Sequence, residues 1–315
     1  MTLRRGQWLT PRVHHQPASA LEIPTGSGIK RMKDLIIGCF TGYDWNTVQY
    51  WANSIDICGF LGERAVMVYD TDSDTIGRLQ ALDFTVYPFD PAEIASGYAY
   101  PFSPEDNYAH RFQAYFEYLS KLPSIDEYRY VIATDVRDVV FQSDPSLWLA
   151  ANLGDKSICA SCESLRYRHE PWGNASMQNS YPRLYDRMAS RPIWNCGVQA
   201  GDIRVMRDFW LQLSMAGAAG LQAADQAAYN ILLSLRPWSQ ITLFAMSEDG
   251  WACQAGTTAW PVRIDQFRPH LLEAEPTWDG VFSCTSMGKQ HVILHQYDRV
   301  PEWREGVQRR YGSGG

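Results

Sequence analysis

From Asp34 onward the apolar and polar positions fall into a repeating order of short apolar run, turn and helix-period segment. Leu35-Ile36-Ile37-Gly38-Cys39-Phe40 reads as a strand covered on both faces, and the Thr41-Gly42-Tyr43 turn behind it leads to Asp44 as a helix cap. Val48, Trp51, Ile55 and Cys58 then recur at helical spacing until Gly59 or Gly62 stops the helix. A second strand is expected over residues 65–69, a helix over 75–82 and a short strand over 84–87. Strands alternating with helices in this way predict an α/β fold whose first half is a mononucleotide-binding type of half-sheet.

Further along, a helix over about 106–119 carries Phe112, Tyr115, Phe116 and Leu119 on one face, with His110 and Arg111 near its start. Val131, Ile132 and Ala133 read as a central strand, followed by a short helix near 145–151 and a strand over 157–162. Residues 166–191 are rich in aromatics and arginine without periodicity and are expected to be irregular. A strand and turn over 194–201, helices over 202–214 and 224–235, and an apolar strand just before His295 complete the pattern. Residues 1–31 lack periodicity and carry Pro11, Pro17 and Pro24, which predicts a disordered extension ahead of a domain over 32–308.

Composition narrows the class. The chain has 315 residues, 45% of them hydrophobic, with 12 Trp, 17 Tyr and 12 Phe, which is ample for a sizeable core. A formal charge of −7 with no long Lys/Arg run argues against a nucleic-acid binder. No apolar stretch has transmembrane length and the first residues lack a signal-peptide core, so a cytoplasmic protein is expected. Seven scattered cysteines fit reduced thiols, and on a strand Cys159 and Cys162 point to opposite faces, which favours packing over metal binding. The Walker-type phosphate loop, the Gly-x-Gly-x-x-Gly dinucleotide fingerprint and the Gly-x-Ser-x-Gly nucleophile elbow are all missing from the sequence.

The candidate chemistry sits in Tyr130-Val131-Ile132-Ala133-Thr134-Asp135-Val136-Arg137-Asp138-Val139-Val140-Phe141, where a buried strand runs into two carboxylates. The carboxyl end of such a strand is where open α/β sheets bind ligands. Two aspartates there suit a hard divalent cation bridging to a diphosphate. The same residues also serve as a plain turn after a strand, with Asp138 paired to Arg137 or solvated.

This apolar-strand, Asp-x-x-Asp, Val-Val-Phe, Asp144-Pro145 order resembles the Asp-x-Asp region of the GT-A fold glycosyltransferases, with Val136 standing where the usual motif has its first aspartate. Asn195-x-Gly197, Asp225-Gln226 at a helix start and His295 after a late strand follow in the order of that family. The resemblance implies an α/β, GT-A-like Rossmann-type mixed sheet flanked by helices, in a single domain with a nucleotide-binding half over about 32–150 and an acceptor-side half over about 151–308. It implies a glycosyltransferase acting on a nucleoside-diphosphate sugar and a glycan or glycoconjugate hydroxyl, with Mn²⁺ or Mg²⁺ as cofactor. Asp135, Asp138 and His295 are the implied metal ligands. Asp225 is the implied catalytic residue, and Arg111, Asp135, Asn195, Gly197 and Gln226 the implied substrate contacts, with residues 166–191 facing the acceptor. Two alternatives stand beside it. One is a non-catalytic carbohydrate-binding protein on a degenerate scaffold, using tryptophans such as Trp172, Trp194, Trp251, Trp278 and Trp303. The other is a nucleotidyltransferase, which usually needs an early Gly-rich basic loop that Thr41-Gly42-Tyr43-Asp44 does not provide.

Overall fold

Strand β1 (Lys33–Thr41) is the hub of the molecule, because its alternate side chains enter two different cores. Ile36 and Phe40 pack with Trp51 and Ile55 of helix α1 (Trp45–Ile57), whereas Leu35 and Ile37 pack with Phe112 and Tyr115 of a helix on the opposite face. Asp44 caps α1 as its position suggests, accepting a 3.0 Å bond from the Thr47 amide, and the chain leaves the helix through Gly59 at φ +81°. Strand β2 (Glu63–Tyr69), helix α2 (Ser73–Ala81) and strand β3 (Phe84–Pro88) follow, each within a few residues of its expected span. The computed structural model describes residues 22–25, 28–91, 93, 107–218 and 224–312.

Helix α3 (Asn107–Ser120) leads into strand β4 (Tyr128–Thr134), strand β5 (Val139–Phe141), helix α4 (Pro145–Asn152) and strand β6 (Ile158–Arg166). Residues 166–191, expected to be irregular, contain a turn of 3-10 helix at Tyr167–His169, helix α5 (Pro171–Ser180) and a short helix at Tyr185–Met188. The cause is local: Pro171 occupies the first helical position and the Glu170 carboxylate accepts from the Trp172 and Gly173 amides. Strand β7 (Pro192–Asp202) then runs without a break through the expected turn. Helix α6 (Ile203–Ala218), helix α7 (Asp225–Ser234) and strands β8 (Thr242–Ala245), β9 (Ala252–Gln254) and β10 (Ile293–His295) precede helix α8 (Pro301–Tyr311).

The main sheet has seven strands in the order β8-β6-β7-β4-β1-β2-β3, and β7 runs antiparallel to both of its neighbours. Helices cover both faces, so the expected α/β mixed sheet flanked by helices is the fold observed. A second sheet, β9-β10-β5, stands at its edge and packs on α8 through Val140, Leu294, Trp303 and Val307.

Residues 33–315 cluster as one unit and residues 1–32 as another. Within the latter, Glu22–Thr25 pairs antiparallel with Gly28–Arg31, a hairpin the sequence reading does not anticipate; the rest of that predicted disordered stretch lies outside the described residues. Among the described residues no helix is long and apolar enough to cross a membrane. Cys159 and Cys162 are both buried and unbridged, and burial pushes both thiols up in pKa, in keeping with packing residues.

Candidate functional site

Two segments distant in sequence deliver a group of two carboxylates and an imidazole to the carboxyl end of β4. Asp135 leaves β4 with its amide donating to the Gly197 carbonyl at 2.8 Å, which ties the exit of β4 to β7. Asp138 directly precedes β5, and His295 is the last residue of β10, opposite Val139 in the antiparallel register. The second sheet therefore sets His295 beside Asp138. Nε2 of His295 lies 3.5 Å from Asp135 Oδ2 and 3.6 Å from Asp138 Oδ1, and one donor atom from each of the three lies within 4.8 Å of the others. Gln254, at the end of β9, places its side-chain oxygen 2.7 Å from His295 Nδ1, which leaves Nε2 facing the carboxylates.

Burial and charge act against each other on these groups. Burial opposes the charge on His295, but Asp138 and Asp135 outweigh it and raise the imidazole to about 9. Burial likewise opposes ionisation of Asp135 and Asp138, yet Arg111 and His295 hold the first below the usual carboxylate range, and His295 does the same for the second. Asp138 also pairs with Arg137 at 3.3 Å, as the plain-turn reading expects, without leaving the cluster. Two hard oxygen donors and an imidazole fixed from behind by an amide fit Mn²⁺ or Mg²⁺. A divalent cation and a proton compete for His295 Nε2, and the two carboxylates favour either one.

Arg111 extends the cluster toward α7. From the first half of α3 its guanidinium pairs with Asp135 and lies 3.0 Å from Asp225 Oδ2, and it reaches the Cys196 carbonyl at 3.4 Å. Asp225 opens α7, and its carboxylate turns to Arg111. Burial pushes the Asp225 carboxyl up in pKa and Arg111 opposes that rise. Gln226 accepts from the Cys196 amide at 3.3 Å.

The Asn195-x-Gly197 segment is not a tight turn. The β6–β7 register shifts between Ala160 and Ser161, so Cys196, Gly197 and Val198 form an irregularity within a strand. Gly197 meets a demand of space, with no left-handed φ recorded for it: a Cβ there would fall 2.4 Å from Asp135 Oδ2 and 2.8 Å from His295 Cε1. Asn195 accepts from the Gly197 amide at 2.8 Å and donates to Glu163 Oε1 at 2.8 Å. Every site residue proposed from the sequence thus lies around one cleft of about 660 Å³.

Sequence reasoning missed Glu163 and Gln254. Burial, reinforced by Glu170, lifts the Glu163 carboxyl to about 7. An acid inside an otherwise apolar strand is the signal that marks it, because such residues are almost never fully buried unless partnered. Gln254 carries no such signal. Of the tryptophans singled out, Trp172 is exposed at the cleft, whereas Trp251 and Trp303 are core. Trp260, not singled out, also lines the cleft.

No protein-family model and no curated protein matches the sequence. Solved structures do match in fold. The galactosyltransferase LgtC, in complex with donor and acceptor sugar analogues, superposes with a TM-score of 0.52 at 13% identity over 90% of this chain and 97% of that one. An active-site mutant of LgtC gives the same TM-score at 12% identity, with the same coverage. The bifunctional glycosyltransferase WbbM, in its apo structure, matches at a TM-score of 0.51 and 14% identity over 90% of this chain, which spans 52% of that structure. The fold is that of the GT-A glycosyltransferases, as the motif order implied.

Proposed function

We propose that this protein is a glycosyltransferase that moves a sugar from a nucleoside-diphosphate sugar to a hydroxyl of a glycan or glycoconjugate. The observation that carries the proposal is the convergence of Asp135 and Asp138, from the link between β4 and β5, with His295 from a segment distant in sequence, on one cleft at the carboxyl end of β4. These three would hold Mn²⁺ or Mg²⁺, and when bound the cation supplies charge neutralisation to the departing diphosphate. Arg111 keeps Asp135 and Asp225 ionised and oriented, and presents its own cation to the same space. Asp225 acts on the transferred sugar or on the acceptor hydroxyl, and its raised pKa suits a group that takes up a proton during the reaction. Asn195 and Gln226 hold the irregular segment of β7 in place, so that Gly197 admits close approach to the cluster.

A screen of UDP-, GDP- and dTDP-sugars in Mn²⁺, in Mg²⁺ and in EDTA tests this reading. Cation-dependent binding with slow hydrolysis of one donor is the expected result. Sugar binding indifferent to both nucleotide and cation would replace it with a carbohydrate-binding role, and transfer of the nucleotidyl group with a nucleotidyltransferase.

A further inference from the structure

The wall of the cleft formed by the segment after β9 carries a charge arrangement that the donor site does not account for. Arg263 lies with its guanidinium carbon 5.5 Å from the centre of the Trp260 ring, and Arg299 lies 5.0 Å from the centre of the same ring. All three side chains are half-buried and line the cleft. Among the described residues neither guanidinium makes an ion pair or a hydrogen bond. Asp298, next in the chain to Arg299 and within its electrostatic reach, lies 3.8 Å from Arg137, and Asp265 pairs with Arg268 at 2.6 Å.

Two like charges gathered on one indole repel each other, and the ring's negative face and the single carboxylate of Asp298 near Arg299 offset that repulsion only in part. An arginine fork left free in a cleft matches a planar carboxylate or a phosphate. The cation site already has its own basic groups, because Arg111 and His295 sit against Asp135, Asp138 and Asp225. The Arg263 side adjoins the segment leading into α5, where His169 stacks on His270 with ring centres 3.9 Å apart and Trp172 stands 53% exposed at the cleft. Trp172 offers an exposed aromatic face for a sugar ring.

We infer that Arg263, Arg299 and Trp260 form an acceptor subsite selective for an acidic saccharide, one bearing a carboxylate or a phosphate. The inference rests on the transferase reading above and names the acceptor class for that site. The donor's own diphosphate presents the same anionic chemistry, so the test separates the two sources.

Titration calorimetry with methyl glucuronide, glucose 6-phosphate and methyl glucoside in EDTA probes the acceptor arm, and UDP with Mn²⁺ probes the donor arm. In the parent, the two acidic probes should bind at least about 10-fold more tightly than the neutral one, in line with charge-assisted pairing. R263Q/R299Q should lose that preference and bind UDP with Mn²⁺ as the parent does. R263Q alone, a milder change, should lose part of it. Equal affinity of the parent for acidic and neutral probes overturns the inference. Weakened UDP binding in the double variant also overturns it, because the guanidiniums then belong to the donor diphosphate. If the parent binds no nucleotide with cation, the transferase reading itself fails, which is a separate outcome from loss of acid selectivity.

Discussion

At the carboxyl end of β4, each charged group has an opposite charge within reach: Arg111 lies between Asp135 and Asp225, and His295 sits 3.5 and 3.6 Å from Asp135 and Asp138. Across the same cleft Arg263 and Arg299 share the Trp260 ring and make no ion pair among the described residues. The first region is preorganised, with its groups held by each other and by backbone bonds from β7. The second is left for a ligand to complete. The difference separates what each region asks of a mutation. In the compensated cluster, removing one member strands the charge of another, so effects there should be large and shared. On the wall whose arginines make no ion pair, a substitution should change selectivity while leaving the fold and the cation site alone.

The largest expected effect comes from breaking the compensated cluster at Asp138. Asp138→Asn keeps the size of the side chain and removes a ligand charge, so donor binding in Mn²⁺ should weaken by about 100-fold, the upper range for losses at metal sites. Calorimetry with a nucleotide sugar measures this, and parental affinity would remove Asp138 from the site. Gly197→Ala should come next. Its Cβ would meet Asp135 Oδ2 at 2.4 Å, and Asp135 cannot yield without parting from Arg111 or His295. Cation affinity should drop by roughly 10-fold with little change in melting temperature. An unchanged cation titration would show that the cluster has room to spare.

Glu163 sharpens the comparison, as a buried acid joined to the site through Asn195 and making no ion pair among the described residues. Its folded pKa of about 7 lies above the ordinary glutamate value, so the folded state binds this proton more tightly than the unfolded chain. That contribution to stability is complete below the unfolded value and is lost as pH rises toward about 7. Denaturant titrations should register a loss on the order of 3 kcal/mol between roughly pH 4 and 8, and Glu163→Gln should flatten that slope. A parental slope in the variant would assign the pH dependence to other groups. The smallest effect is expected from removing residues 1–31, which lie in a separate unit from the cleft. A chain beginning at Met32 should melt within about 3 °C of the parent, a shift under roughly 1 kcal/mol for a domain of this size. A larger loss would show that the comparison leaves out a contribution from that stretch.

Periodicity anticipated six of the seven strands of the main sheet and most of their covering helices, because burial on one or both faces leaves its mark on consecutive residues, but it did not anticipate the four-residue edge strand β8. It was misled over 166–191, where a proline and a capping glutamate start a helix whose composition is mostly polar. The site was legible wherever a chemical group stood at the end of an apolar run, as with Asp135, Asp138 and His295. Asn195 and Gly197 were read as a turn, since a strand irregularity is set by the neighbouring strand's register and leaves no mark of its own in composition.

The sequence by itself determined the element types, the caps and the order of the chemical groups along the chain, all of which depend on near neighbours. Only the tertiary structure decided that β10 pairs beside β5, so that His295 meets Asp138 from 157 residues away, and that Gln254 fixes the imidazole from behind. It also decided that Glu163 lies buried against Asn195 and that Arg299 reaches the Trp260 ring from a later segment. These pairings follow from sheet order and register. They are settled by the packing of the whole core, and no local window of the sequence contains both partners.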